Sequence, residues 1–90
     1  MSVQQFVVYS GGRVSELLER VSKSGDVWSE VSCVILELKE HQRVLEEMVG
    51  NEPDMSIRGQ ADRYQTDLNK TIQAYKNLEK SLGGYQNGQV

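Results

Sequence analysis

Apolar side chains recur every three or four positions through the middle of the chain. After Trp28 they fall at Val31, Ile35, Leu38, Leu45 and Val49, with an interruption at Gln42. This spacing is that of one face of a packed helix, whereas a half-buried strand alternates apolar and polar residues. The pattern predicts a helix over about 27–49, roughly 34 Å long. Asp26 is its expected N-cap, and Gly50 is the expected left-handed residue that ends it.

A second series with the same spacing runs through the C-terminal half. Its members are Ala61, Tyr64, Leu68, Thr71, Tyr75, Leu78 and Leu82. The series predicts a helix over about 55–82, capped by Asp54 or Ser56 and stopped by Gly83-Gly84. The connection, 50–54, is short and contains Pro53, which favours an antiparallel hairpin. The apolar positions of both series, including Trp28 and Leu78, are expected to line its seam.

The N-terminal segment contains a third apolar stripe, formed by Val14, Leu17, Leu18 and Val21. It predicts a helix over about 12–24. Gly25 either ends this helix or lies inside one long rod, since glycine within a helix costs only about 1 kcal/mol. A break is favoured because Gly25, a stop signal, is followed by Asp26, a start signal. We therefore expect an all-α protein, arranged as a three-helix bundle or a coiled-coil-like oligomer.

The same pattern divides the chain into one helical domain and two flanking segments. Residues 12–82 are expected to form the domain, residues 1–11 a flexible arm or an extra helical turn, and residues 83–90 a disordered, glycine-rich tail. A chain of 90 residues forms one domain with a marginal core. Its single cysteine and single histidine leave no internal disulfide and no structural zinc site. Stability must then come from helix packing or from oligomerisation.

Charge and hydropathy narrow the range of partners. Residues 1–50 hold five Lys/Arg against eight Asp/Glu, and residues 51–90 hold five against five. Because neither half is basic, no nucleic-acid partner is expected. No apolar run approaches the roughly 20 residues of a membrane span, and the FVVY run is too short for a signal peptide. The expected compartment is the cytoplasm, which suits an unpaired cysteine, with leaderless export left open.

The candidate chemical groups all favour structural roles. Cys33 reads as a small buried hydrophobe, because no basic residue lies within a helical turn to activate it. His41 follows Glu37 by one turn and reads as an edge-of-core residue with a solvent-side hydrogen bond. The Ser10-Gly11-Gly12-Arg13 stretch reads as a cap and turn rather than an anion-binding loop. No nucleophile, base and oxyanion group can be assembled, so no enzyme, cofactor, metal ion or small-molecule substrate is expected.

Several apolar residues lie off the predicted hairpin seam. They are Cys33, Leu36 and Val44 on the second helix, with Val14, Leu18 and Val21 on the first. Rows of apolar residues along a helix tend to mark interfaces. These six residues are the predicted partner interface. The simplest cover for the three on the second helix is the first helix, folded back over the hairpin. A second copy or another protein is the alternative cover, and the two are compatible. The resulting hypothesis is a non-enzymatic interaction module: an adaptor, a chaperone-like protein or an assembly subunit.

The size and hairpin plan resemble those of two groups of bacterial export proteins. The WXG100 family carries Trp-x-Gly in the turn between its helices and Tyr-x-x-x-Asp/Glu further on. This chain has Trp28-Ser29-Glu30, without the glycine and outside the hairpin turn, and Tyr75-x-x-x-Glu79 inside a helix. Its turn 51–54 is similar to those of type III secretion needle subunits and co-chaperones. The resemblance implies an alternative function as a component, substrate or chaperone of a specialised secretion system, and no residue role is carried across.

Overall fold

The computed structural model describes residues 1–88, with side chains as far as Gly83. Three helices follow one another: α1 (Val3–Lys23), α2 (Val27–Gly50) and α3 (Met55–Gly88). Val3 and Phe6 cluster with Leu45, so α1 runs antiparallel to α2. Within residues 1–88 there is no strand, and α1 packs against both members of the α2–α3 hairpin. The prediction of an all-α three-helix arrangement is confirmed.

Helix α1 begins at Val3, about two turns earlier than the predicted start near residue 12. Ser2 caps it, because its hydroxyl accepts from the Gln5 backbone N–H at 3.1 Å while the Gln5 side chain accepts from the Ser2 N–H at 2.8 Å. This reciprocal pair satisfies two backbone donors at the exposed end of the helix. Val3 and Phe6 are buried on the same helix. Residues 3–11 are therefore part of the bundle, and the separate N-terminal arm predicted for residues 1–11 is corrected.

The breaks between helices lie where glycine, proline and capping residues predict them. Helix α1 ends at Lys23, and Asp26 caps α2 by accepting from the Ser29 N–H at 3.2 Å. The three-helix alternative at Gly25 is thus confirmed over the continuous rod. Asp54 caps α3, accepting from the Ser56 N–H at 2.9 Å. The expectation for Gly50 is wrong, because it is the last helical residue and no glycine among the described residues has positive φ.

Helix α3 also differs from its predicted end. It continues through Gly83-Gly84 to Gly88, whereas the pattern placed its end at residue 82. Glycine lowers helix stability without forbidding the helical conformation. The predicted disordered tail, 83–90, is thus helical as far as Gly88, and its last two residues lie outside the described part of the chain.

The core consists of two hydrophobic clusters, one towards each end of α1. The larger one joins α1 residues Leu17 and Val21 to buried residues of α2 and α3, among them Leu38 and Ile72. The smaller one joins Val3 and Phe6 to Leu45 and Ala61. Together they hold α1 along most of its length. Among the described residues, no helix has the length and hydropathy needed to cross a membrane.

The predicted seam is correct along the middle of the hairpin and wrong near one end. Val31, Ile35, Leu38, Leu45 and Leu68 are all buried as expected. Trp28 and Leu78, however, retain 42% and 38% of their surface. Ile72, which the heptad series omitted, is 1% exposed and takes the core position instead of Thr71. A helix between two neighbours buries a broader stripe than the two positions per heptad of a coiled coil.

Candidate functional site

A chain of polar side chains crosses the interior between the two hydrophobic clusters. Ser10 of α1 is its centre, with no exposed surface. The Ser10 Oγ lies 2.7 Å from His41 Nδ1 on α2 and 2.5 Å from the Tyr64 hydroxyl on α3. One serine hydroxyl therefore links all three helices.

His41 connects this serine to charged groups at the edge of the bundle. Its Nε2 lies 3.4 Å from Glu37 Oε2, one turn earlier on α2. An ionised carboxylate can only accept, so Glu37 favours a proton on His41 Nε2. In the neutral tautomer with that proton, Ser10 donates to His41 Nδ1 and Tyr64 donates to Ser10. A chain of hydrogen bonds then joins α3 through α1 to α2.

Arg13 closes the network from α1. Its Nε donates to Glu37 Oε2 at 2.6 Å and its Nη2 donates to Glu37 Oε1 at 3.0 Å, a bidentate contact between helices. This Arg13 contact is the main reason that the pKa of Glu37 lies below its usual range, with burial opposing the shift. The same contact raises the pKa of Arg13. Burial raises the pKa of the Tyr64 phenol, and its hydrogen bond with Ser10 opposes that shift.

Serine, histidine and glutamate together have the composition of a hydrolytic triad, but this arrangement favours a structural role. Ser10 is fully buried, and its hydroxyl already has two partners. Its position inside α1 commits the neighbouring backbone N–H groups to helical hydrogen bonds, so they are not free to bind an oxyanion. The network satisfies buried polar groups and fixes how α1 sits on the hairpin.

Sequence reasoning missed this network. His41 is 6% exposed and bonds to the buried Ser10, so it lies deeper than the predicted edge-of-core position, although its Nε2 lies beside the partly exposed Glu37. Ser10 lies within α1 rather than in a turn before it. The partners of Ser10 are 31 and 54 residues away, beyond any local pattern. One signal was present: Ser2-x-x-Gln5 is a capping-box spacing that extends α1 over Ser10.

The six residues predicted to form the partner interface separate into two groups. Val21 belongs to the larger core cluster, Val14 packs against that cluster, and Val44 packs against the smaller one. Because helix α1 folds back over the hairpin, these three side chains contact their own chain. Leu36 and Leu18 retain 69% and 36% of their surface.

Cys33 is the sixth residue of that set, and it is exposed. The expectation that its thiol is a buried hydrophobe is therefore wrong for this chain. Cys33 and Leu36 lie one turn apart on α2, so they share a face.

Two consecutive exposed apolar side chains, Val8 and Tyr9, lie on the outer surface of α1. Val8 is 76% exposed and Tyr9 52%. No residue from Val3 to Gly12 has a charged side chain. Tyr9 stands over Phe6 and His41, with ring centroids 6.0 and 5.9 Å away. The exposed apolar side chains of Val8 and Tyr9 are called the α1 patch below.

A groove between α1 and α2 borders the α1 patch. It has a volume of about 710 Å³ and is open to solvent along its length. Its apolar and aromatic lining consists of Phe6, Tyr9, His41 and Val44. Gly12 also lines the groove and has no side chain to occupy it. Three carboxylates, Glu16, Glu37 and Glu40, lie along it with Arg13. Within the described residues, no group of three His, Cys, Asp or Glu side chains could hold a metal ion.

Comparison of the chain with protein-family models, with curated proteins and with solved structures gave no match. The fold and these surfaces are therefore the basis for any statement about function.

Proposed function

We propose that this protein is a non-enzymatic helical interaction module, which binds another protein or a second copy of itself through the outer surface of its bundle. The observation that carries the proposal is the α1 patch. Val8 and Tyr9 expose apolar surface next to one another on a helix that is already fixed to its own chain. Contiguous exposed apolar surface is characteristic of interaction sites, whereas isolated apolar residues are common on any protein.

The internal polar network supports this proposal in a second way. Ser10, His41 and Glu37 are joined to side chains of their own chain and hold α1 in place. A rigid helix face loses little conformational entropy on binding, which favours recognition by preformed surfaces. The fold therefore suits the display of a fixed surface.

Photo-crosslinking in cells that express the protein tests the proposal. A benzoylphenylalanine placed at Val8 or Leu36 reports on the two most exposed apolar positions within helices α1 and α2. The same residue at Lys70, an exposed polar position on α3, is the control. A discrete crosslinked species from Val8 or Leu36, absent from Lys70, is the expected result. Light scattering over a wide concentration range separates self-association from binding of another protein.

A monomer at every concentration, with the same crosslinking at all three positions, would contradict the proposal. The secretion-related alternative stays a prediction. Its test is whether the protein is found outside the cells that make it.

A further inference from the structure

The groove between α1 and α2 combines an apolar interior with a negatively charged edge. We propose that it binds a basic amphipathic helix of a partner protein, with apolar side chains against the α1 patch and lysine or arginine side chains at the carboxylates. This inference rests on the proposed function and specifies the partner's chemistry. Docking of an amphipathic helix in an apolar groove is a common mode of recognition.

The interior of the groove offers apolar and aromatic contact. Tyr9 and Phe6 form one wall, and their rings meet that of His41 from α2 at 5.9 Å each. Val8 stands beside them with 76% of its surface exposed. Tyr9 is the exposed ring of the three, with 52% of its surface accessible, and it provides apolar contact area and a ring face that can accept a cation.

The charge of the groove selects the sign of its ligand. Its lining holds the three carboxylates Glu16, Glu37 and Glu40 against one guanidinium, Arg13. Arg13 is already bound to Glu37 and Glu16, so it has little capacity left for an anionic ligand. Glu16 is paired with Arg13 and Glu40 with Arg43. Both carboxylates nevertheless keep 68% and 56% of their side-chain surface, so a further cation can reach them.

The wider charge distribution argues for a partner other than a second copy. Residues 1–50, which include α1 and α2, hold five basic and eight acidic residues, an excess of three negative charges that equals the net charge of the chain. A second copy would bring the same excess to the interface, where like charges oppose association. Anionic lipid and nucleic-acid phosphates meet the same repulsion. A basic helix, in contrast, is attracted by this excess of negative charge.

Gly12 gives a direct way to close the groove without damaging the fold. It lines the groove, and a Cβ built on it meets nothing within 4 Å. Gly12→Leu should therefore retain the bundle, because leucine favours the helix over glycine, while its side chain projects into the groove and obstructs a ligand there. Gly11→Leu is the matched control, since Gly11 is also free of contacts within 4 Å and does not line the groove.

The binding experiment uses a labelled synthetic helix of about 18 residues, with leucine at helical spacing and lysine on its flanks. One comparison peptide has glutamate for every lysine, and another has serine for every leucine. Fluorescence anisotropy with the full chain should show saturable binding of the first peptide. Binding of each comparison peptide should be at least about tenfold weaker. Raising the salt from about 50 mM to about 300 mM should weaken binding of the first peptide.

Variants then locate the site. Gly12→Leu should weaken binding at least about tenfold, and Gly11→Leu less than about threefold. The charge reversal E16K with E40K should weaken it similarly. The control E46K with D62K makes the same change in net charge at the groove between α2 and α3, and should have a much smaller effect. Circular dichroism confirms that each variant keeps its helix content.

Three outcomes would overturn the inference: no saturable binding of the lysine peptide, equal binding of the glutamate peptide, or equal effects of the groove and control variants. Photo-crosslinking distinguishes failure of this inference from failure of the proposed function. A discrete crosslink from Val8 to an acidic partner or a second copy would leave the proposed function standing and reject the basic helix.

Discussion

Replacing Ser10 by alanine tests whether the polar network holds α1 on the hairpin. The substitution removes a single oxygen atom from the centre of the bundle. That oxygen makes hydrogen bonds of 2.7 Å to His41 and 2.5 Å to Tyr64. No comparable interaction among the described side chains reaches α2 and α3 from one atom of α1. The expected loss is therefore large for so small a change.

The magnitude follows from what each partner loses. The buried His41 Nδ1 is left without a donor, which costs about 1–3 kcal/mol. Tyr64 is half-buried, so its hydroxyl can turn towards water, and its lost bond costs about 0.5–1.5 kcal/mol. Alanine regains roughly 0.5 kcal/mol because it favours the helix more than serine. The net expectation is about 2 kcal/mol, which lowers Tm by roughly 8–16 °C in a domain of this size.

Urea unfolding followed by far-UV circular dichroism measures the change in the free energy of unfolding. Ser15→Ala is the matched control, because Ser15 is exposed on the same helix and donates only to the Gly11 carbonyl at 3.3 Å. Its free energy of unfolding should change by less than about 0.5 kcal/mol. Tyr64→Phe, alone and combined with Ser10→Ala, completes a double-mutant cycle with a coupling of about 0.5–1 kcal/mol.

A loss for Ser10→Ala within about 0.5 kcal/mol of the Ser15→Ala value would refute this reasoning, given the usual error of such measurements. It would mean that apolar packing alone positions α1. A zero coupling between Ser10 and Tyr64 would separately refute the bond between α1 and α3.

Three further predictions use other parts of the structure. Arg13 lowers the folded-state pKa of Glu37, so this pair stabilises the fold above the unfolded carboxyl pKa of about 4.3 and stops doing so as pH falls through the folded pKa. The difference in free energy of unfolding between wild type and Glu37→Gln should therefore shrink when urea unfolding is measured in acid. A difference that grows in acid would oppose the assignment. Ile72→Ala should cost about 2–5 kcal/mol by urea unfolding, whereas Leu78→Ala, at a position 38% exposed, should cost much less. Cys33 should react with a thiol reagent in the native protein as fast as in urea, since its side chain is exposed, and strong native-state protection would indicate that another chain covers it.

The hydrophobic pattern predicted the helices because it records burial directly. Val31, Ile35 and Leu38 follow the three-and-four spacing, and all three are buried. Ile72 was missed because a strict heptad continues from Leu68 to Thr71, whereas a helix of 3.6 residues per turn drifts from that series. Trp28 was assigned to the core as the first member of the α2 series, but it lies in the first turn of α2 and is 42% exposed.

Polar positions in the core cannot be recognised from such a pattern. Ser10 precedes two glycines, and His41 lies beside the apolar series of α2 rather than on it, so a local reading places them at a turn and at an edge. Their burial depends on partners from other helices, which the fold alone brings within reach. The start of α1 was missed for a related reason. Residues Phe6 to Tyr9 favour strands by propensity, but burial of Val3 and Phe6 in the bundle outweighs that preference.

The way α1 is attached also determines how the molecule opens. Helix α1 is joined to the α2–α3 hairpin by the Ser24-Gly25-Asp26 connection, by the two apolar clusters and by the hydrogen bonds of Ser10. Proteins open in cooperative units, and backbone amides report those openings by hydrogen exchange. Release of α1 from the hairpin would expose Ser10 and His41 together. A ligand that spans α1 and α2 binds only the closed form, so it slows exchange across the whole of α1. The exchange rate of this one helix thus becomes a measure of how fully the surface beside it is occupied.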